Sequence, residues 1–183
     1  METSVKLDKE RIYAEVRERI ECDPSLMAMP SSARCFYYGI RTVEALRKAG
    51  LHVLLQAGSC SWPRIRPEQD DGVAMTHFSY LWTPEEPASQ RAMRLGIMPE
   101  MHVWAADPEA NEIIDFTSGF FPEQAKALVG FDWPGDLPPK YLWANTKDIP
   151  RGVQYRADID AIKLAFSFAV ELYGKKYVRE VLL

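Results

Sequence analysis

The sequence predicts an α+β fold, with N-terminal helices packed on an antiparallel sheet and a long helix closing the chain. Three observations predict it. Apolar residues recur at helical spacing near the N-terminus and again from 158 to 181. Between these segments lie short alternating runs bounded by Gly, Pro, Asn and Asp. The elements also come in blocks, whereas a parallel βαβ sheet needs strands and helices to alternate.

In chain order, Asp8 to Cys22 reads as a helix with Ile12, Val16 and Ile20 on one face. Asp23-Pro24 to Pro30 is a break. Ser31-Ser32 offers an N-cap for a second helix, Ala33 to Ala49, which Gly50 ends and whose core side carries Val43 and Leu46. His52 to Ala57 reads as a strand and Gly58 to Gly72 as a loop. Val73 to Trp82 is a further strand. Thr83 to Pro99 is a long connection with room for a short helix near Ser89 to Arg94. Glu100 to Ala106 and Asn111 to Thr117 are strands around a turn. Pro122 to Val129 is a short helix, and Phe131 to Pro139 is irregular. In the closing helix, Ile162, Ala165, Phe166, Ala169, Val170, Tyr173 and Tyr177 are spaced for burial.

The chain has 183 residues, 47% of them apolar and 26% charged, enough to close a core as one domain over 1–183. That composition argues against disorder, and no apolar run is long enough for a membrane span. The net charge of −4, with Lys and Arg scattered among Asp and Glu, argues against nucleic acid and anionic membranes as partners. Cys22, Cys35 and Cys60 make an odd count without a repeating interval, so no disulfide framework is expected. With no apolar leader in Met1 to Glu10, the expected compartment is the cytoplasm.

The turn at Asp107-Pro108-Glu109-Ala110 carries the first chemical signal. A tight turn there pairs His102 directly with Asp115. A longer loop, with Asn111 left-handed, pairs Asp107 with Glu112 and sets Asp115 opposite Trp104, still on the His102 face. Only a three-residue loop separates the two. Alternation gives one apolar face of Met101, Val103, Ala105, Ile114 and Phe116, and a second of His102, Trp104, Ile113, Asp115 and Thr117. A carboxylate beside an imidazole fixes its tautomer and favours its protonated form, as in the base-and-orienter half of a catalytic triad or in a structural hydrogen bond.

Cys35 lies at the start of the second helix, where unpaired N–H groups and the helix dipole favour a thiolate. The plain alternative is a small buried hydrophobe. Cys60, in Gly58-Ser59-Cys60-Ser61, is a rival loop thiol, and Cys22 sits at a helix end that disfavours a thiolate.

The order Cys35, His102, Asp115 resembles the transglutaminase-like superfamily, relatives of the papain-type cysteine proteases. Leu46-Arg47-Lys48-Ala49-Gly50 and the strand Leu51 to Gly58 are similar to that family's text after its cysteine. His102-Val103-Trp104 is similar to its His-Ala-Trp, and Ile114-Asp115-Phe116-Thr117 to its Asp-Pro-Thr. The resemblance covers about 31–119. It implies a papain/transglutaminase-like core in which Cys35 is the nucleophile, His102 the base and then acid, and Asp115 the orienting group. It further implies a thioester route to hydrolysis or acyl transfer on a peptide or protein amide or acyl substrate, with no metal or cofactor. Residues 1–34 hold no Gln, Asn or Trp, so a second oxyanion donor falls to Gln56, Trp62 or a backbone amide. Trp104, Gln56 and Trp62 are the substrate-binding candidates. The alternative is an inactive peptide- or protein-binding module on the same scaffold.

Other constellations are weaker. No Cys or His pair has zinc-site spacing, and no Gly-rich phosphate loop occurs. His77 reads as a satisfied core histidine more readily than as a cleft residue, and His52 as structural. The Trp133 and Trp143 region reads as a packed irregular segment before a peptide-binding lip.

Overall fold

Asp8 caps the first helix, α1 (Lys9–Glu21), by accepting from the Arg11 N–H at 3.0 Å, and the helix buries Ile12, Tyr13, Val16 and Ile20. The computed structural model describes residues 7–29, 33–66 and 75–183. The expected break after α1 holds a one-turn helix, α2 (Pro24–Met27), because Asp23 caps it and Pro24 suits its first turn. The proposed Ser31-Ser32 cap lies outside the described residues. α3 (Arg34–Lys48) starts after Ala33, which makes no side-chain cap, and stops at left-handed Gly50.

Among the described residues, six strands form one curled antiparallel sheet: β1 (Leu54–Pro63), β2 (His77–Tyr80), β3 (His102–Asp107), β4 (Glu112–Asp115), β5 (Leu142–Asn145) and β6 (Gln154–Ala157). β1 pairs with β3 over Leu54–Gly58, with β6 over Gly58–Ser61 and with β2 over Cys60–Pro63. Gly58 is paired with both His102 and Ala157, and Cys60 with both Tyr80 and Tyr155. β6 therefore takes one edge of β1, while β3 and β2 follow one another along the other.

The expected loop from Gly58 is thus a strand as far as Pro63. Gly-Ser-Cys-Ser has turn composition, but the ladder uses each residue. The Ser59 hydroxyl accepts from the Trp82 N–H at 3.0 Å, and Ser61 and Ser79 hydroxyls bond across strands at 2.8 Å. Gly58 has φ +154°, and a Cβ there would sit 2.1 Å from the Arg156 carbonyl oxygen. Only glycine lets β6 cross so closely.

The β3–β4 hairpin pairs Ala105 with Ile114, Ala106 with Ile113 and Asp107 with Glu112. This is the longer-loop register. Asn111 is left-handed (φ 54°), and Asp107 Oδ1 accepts from the Glu109 and Ala110 N–H groups at 2.9 Å. The two faces separate as the alternation requires. Met101, Val103, Ala105, Ile114 and Phe116 join the core beneath α1 and α3, whereas Trp104 and Ile113 join a second core.

α4 (Pro87–Arg94) occupies the long connection, and α5 (Phe121–Val129) covers the second core with Phe121 and Ala125. α6 (Ile159–Tyr177) is capped by Asp158 and buries Ala161, Ala165 and Ala169, one small residue per turn. The larger residues expected to be its buried stripe, Ile162, Phe166, Val170, Tyr173 and Tyr177, flank that ridge half-buried. Gly174 breaks the helical dihedrals before the C-terminus. No helix among the described residues is long and apolar enough to cross a membrane.

Candidate active site

His102 is the first residue of β3 and faces Gly58, which presents no side chain. Tyr80, His102 and Trp104 oppose Cys60, Gly58 and Gln56, successive same-face positions of β1. The imidazole is therefore flanked along the row, stacked on Tyr80 (centroids 5.2 Å, 23°) and on Trp104 (6.0 Å, 17°). Phe121 closes a third side edge-on at 5.5 Å. A ring so packed has little rotational freedom, and it is fully buried.

Its Nε2 bonds Asp115 Oδ2 at 2.8 Å. Asp115 is also buried, and it accepts three further hydrogen bonds: the Thr117 N–H and hydroxyl to Oδ1 at 2.8 and 2.6 Å, and the Tyr155 hydroxyl to Oδ2 at 2.6 Å. Tyr155 in turn accepts from Trp62 Nε1 at 3.1 Å. Burial would push the Asp115 carboxyl up, but His102, Thr117 and Tyr155 outweigh it and hold the pKa below the usual range. Burial would likewise push His102 down. The Asp115 charge and hydrogen bond win, helped by Cys35, and the imidazole is raised from 6.5 to about 10. At neutral pH the pair is an imidazolium and a carboxylate.

Cys35 is the second residue of α3, and its thiol donates toward the Met101 carbonyl at 3.8 Å. Met101 immediately precedes His102, so α3 and β3 bring thiol and ring together. Nε2 is committed to Asp115. The buried Nδ1, which makes no hydrogen bond of ordinary length, is the nitrogen left for Cys35. Cys35 is 3% exposed, yet it borders a cleft of about 460 Å³ also lined by Tyr80, Met101, Met98, Phe78 and Phe131.

The structure thus brings Cys35, His102 and Asp115 into one cluster. Trp104, Gln56 and Trp62 share the face of His102 but do not line the cleft. Trp104 holds the ring, Trp62 holds Tyr155, and Gln56 lies opposite Trp104 on β1. Cys60 is buried within β1, not exposed in a loop, and burial together with Asp115 pushes its thiol well up. Cys22 is exposed at the end of α1. His77 is exposed and lines the cleft, contrary to its reading as a core histidine, because it opens the short strand β2 at the cleft wall. His52 precedes β1 and is exposed, 3.8 Å from Glu109. Trp133 and Trp143 bond Asp136 and Glu112 and do not line the cleft.

Sequence reasoning missed Tyr155. It sits on β6, a strand four residues long that had no readable pattern, so nothing marked it as a partner of Asp115. Thr117 had a signal: a Thr two residues after an Asp can turn back on its carboxylate. Among the described residues, no three His, Cys, Asp or Glu side chains are grouped to hold a metal ion. No protein-family profile, no curated protein and no solved structure matches this chain.

Proposed function

We propose that the chain is a cysteine-dependent amide hydrolase or acyl transferase on a papain/transglutaminase-like core, working through a thioester on Cys35. One arrangement carries the reading: His102 is fixed by Asp115 through Nε2, its buried Nδ1 has no other hydrogen-bond partner, and Cys35, whose interaction with the ring helps to raise its pKa, borders a cleft. A cation beside a cysteine sulfur favours the thiolate, which is the nucleophile.

Cys35 gives its proton to solvent beside the imidazolium, and the thiolate swings away from the Met101 carbonyl and attacks the carbonyl carbon of the donor. A C–S bond forms, and the negative charge gathers on the former carbonyl oxygen. The Cys35 N–H belongs to the first turn of α3, where N–H groups point out of the helix end toward such charge. When the tetrahedral adduct collapses, the bond to the leaving nitrogen, oxygen or sulfur breaks, and the leaving group takes its proton from His102. Neutral His102 then draws a proton from water or an amine as that group attacks the thioester. The acyl group leaves, and Cys35 and His102 return to their starting charges. Asp115 keeps the ring oriented throughout, with Tyr155 and Thr117 holding the carboxylate.

The test is acylation by p-nitrophenyl acetate, followed by rapid quenching, mass measurement and peptide mapping. The expected result is one acetyl group on Cys35, absent from Cys35→Ala, with Cys60 unmodified. Acetylation of exposed Cys22 with none on Cys35 overturns the reading and leaves the binding module as the better description of the fold.

A further inference from the structure

We propose that the cleft beside Cys35 holds the aliphatic chain of the acyl donor, so that the preferred donors are esters, thioesters or amides of medium-chain carboxylic acids. This rests on the thioester chemistry proposed for Cys35 and names the donor that site takes.

Among the described residues the lining is mostly apolar, with Met75, Met98, Met101, Phe78, Phe131 and Leu128 beside the polar Arg64, His77, Ser79 and Glu100. Three methionines give a soft wall that adapts to a flexible chain better than to one rigid shape. The exposed part of the lining holds Met75, Leu128 and Val129, 58, 52 and 50% exposed, beside exposed His77 and Glu100. Apolar side chains this open at a cavity mouth gain free energy when a chain covers them. The volume, about 460 Å³, falls in the range of small-molecule pockets.

Among the described residues of the lining, Arg64 and Glu100 hold backbone groups and His77 Nδ1 bonds the Thr76 hydroxyl at 2.8 Å. The Arg64 guanidinium donates to the Met75 carbonyl at 3.1 and 2.6 Å and to the Asp132 carbonyl, and lies 4.9 Å from the Phe131 ring centroid. Glu100 accepts from the Leu81 N–H at 3.1 Å. A polar amide or a carboxylate in the interior would lose water without matching partners, whereas a hydrocarbon chain needs none. Met101 links the two halves of the site, since it lines the cleft and its carbonyl accepts from the Cys35 thiol. A chain lying along the cleft therefore ends at the sulfur.

Acylation forms the bond between Cys35 Sγ and the acyl carbon and breaks the donor's bond to its leaving oxygen, nitrogen or sulfur. The released group takes up the proton that His102 holds; water then gives a proton back to His102, breaks the bond to Cys35 Sγ and frees the carboxylic acid.

The experiment compares p-nitrophenyl acetate, butyrate, hexanoate and octanoate on the full chain, corrected for spontaneous hydrolysis, with the ester of N-acetyl-leucine as a peptide-like control. The expected result is a kcat/KM that rises up to about fourfold per added CH2 until the cleft is filled. Leu128→Glu, a change at a half-exposed position, should lower the octanoate-to-acetate ratio at least tenfold, and Leu128→Met should keep it. Acetylation of Cys35 with a flat chain-length profile overturns this inference and leaves the thioester chemistry standing. An N-acetyl-leucine ester that outpaces octanoate also overturns it, assigning the cleft to a peptide side chain. If no ester acylates Cys35, both readings fall together.

Discussion

Asp115 accepts four hydrogen bonds, one each from His102 and Tyr155 and two from Thr117. Removing one donor has a measurable consequence. Tyr155→Phe leaves Trp62 Nε1 without its acceptor and Asp115 with one bond fewer, so urea denaturation should show a loss of about 1–3 kcal/mol. The charged pair also sets a pH dependence. His102 is raised from 6.5 to about 10, so its contribution is fully present below about pH 6.5 and is lost as pH rises through about 10. Asp115 is lowered, so its contribution is present above the unfolded carboxylate pKa and lost as pH falls through the depressed folded value. Urea midpoints from pH 6 to 10.5 should fall across the alkaline limb, and His102→Gln should remove that part of the slope. That the two share a face is legible in the sequence, because a period of two keeps His102 and Asp115 on one face under either the tight turn or the longer loop. Asn111 decided between the registers, and its left-handed conformation was an option the sequence left open.

At the scale of elements, β1 joins the site together, and Gly58 is where its partners change. A Cβ at Gly58 meets the Arg156 carbonyl oxygen at 2.1 Å in a backbone conformation that L side chains rarely adopt. Gly58→Ala should therefore cost more than ~3 kcal/mol in a urea titration and loosen the Cys60–Tyr155 pairing. The helices α1, α3 and α6 were readable because their caps and apolar spacing agree: Asp8 and Asp158 cap, and Gly50 terminates. β5 and β6 were not. Each is four residues long, and Gln154–Ala157 has no buried residue to reveal a period. The second half of β1 was hidden for a different reason. Its serines are bonded by a neighbouring backbone N–H and a cross-strand hydroxyl that local composition does not encode.

The whole molecule places one sheet between two cores and brings Cys35, at the start of α3, beside His102 at the start of β3. α3 and α6 pack on the first core, α5 and the aromatic row on the second. The alanine ridge of α6 sets how closely that helix approaches β1, so Ala165→Leu should lower stability by about 1–3 kcal/mol through overpacking, read as a shifted thermal midpoint. The sequence located the Cys35, His102 and Asp115 set, but not the cleft. The cleft draws its walls from β2, from α5 and from the segments around Met98 and Phe131, which are distant in the chain. Whether Cys35 and His102 act as one reactive unit is read from alkylation rates. Iodoacetamide labelling at pH 7 with peptide mapping compares Cys35 against exposed Cys22 and buried Cys60 in the same molecule. Cys35 should react faster than Cys22, Cys60 should stay unlabelled, and His102→Ala should slow Cys35 at least tenfold with Cys22 unchanged. A Cys35 no faster than Cys22, or equally fast without His102, would show that the two do not act as one unit.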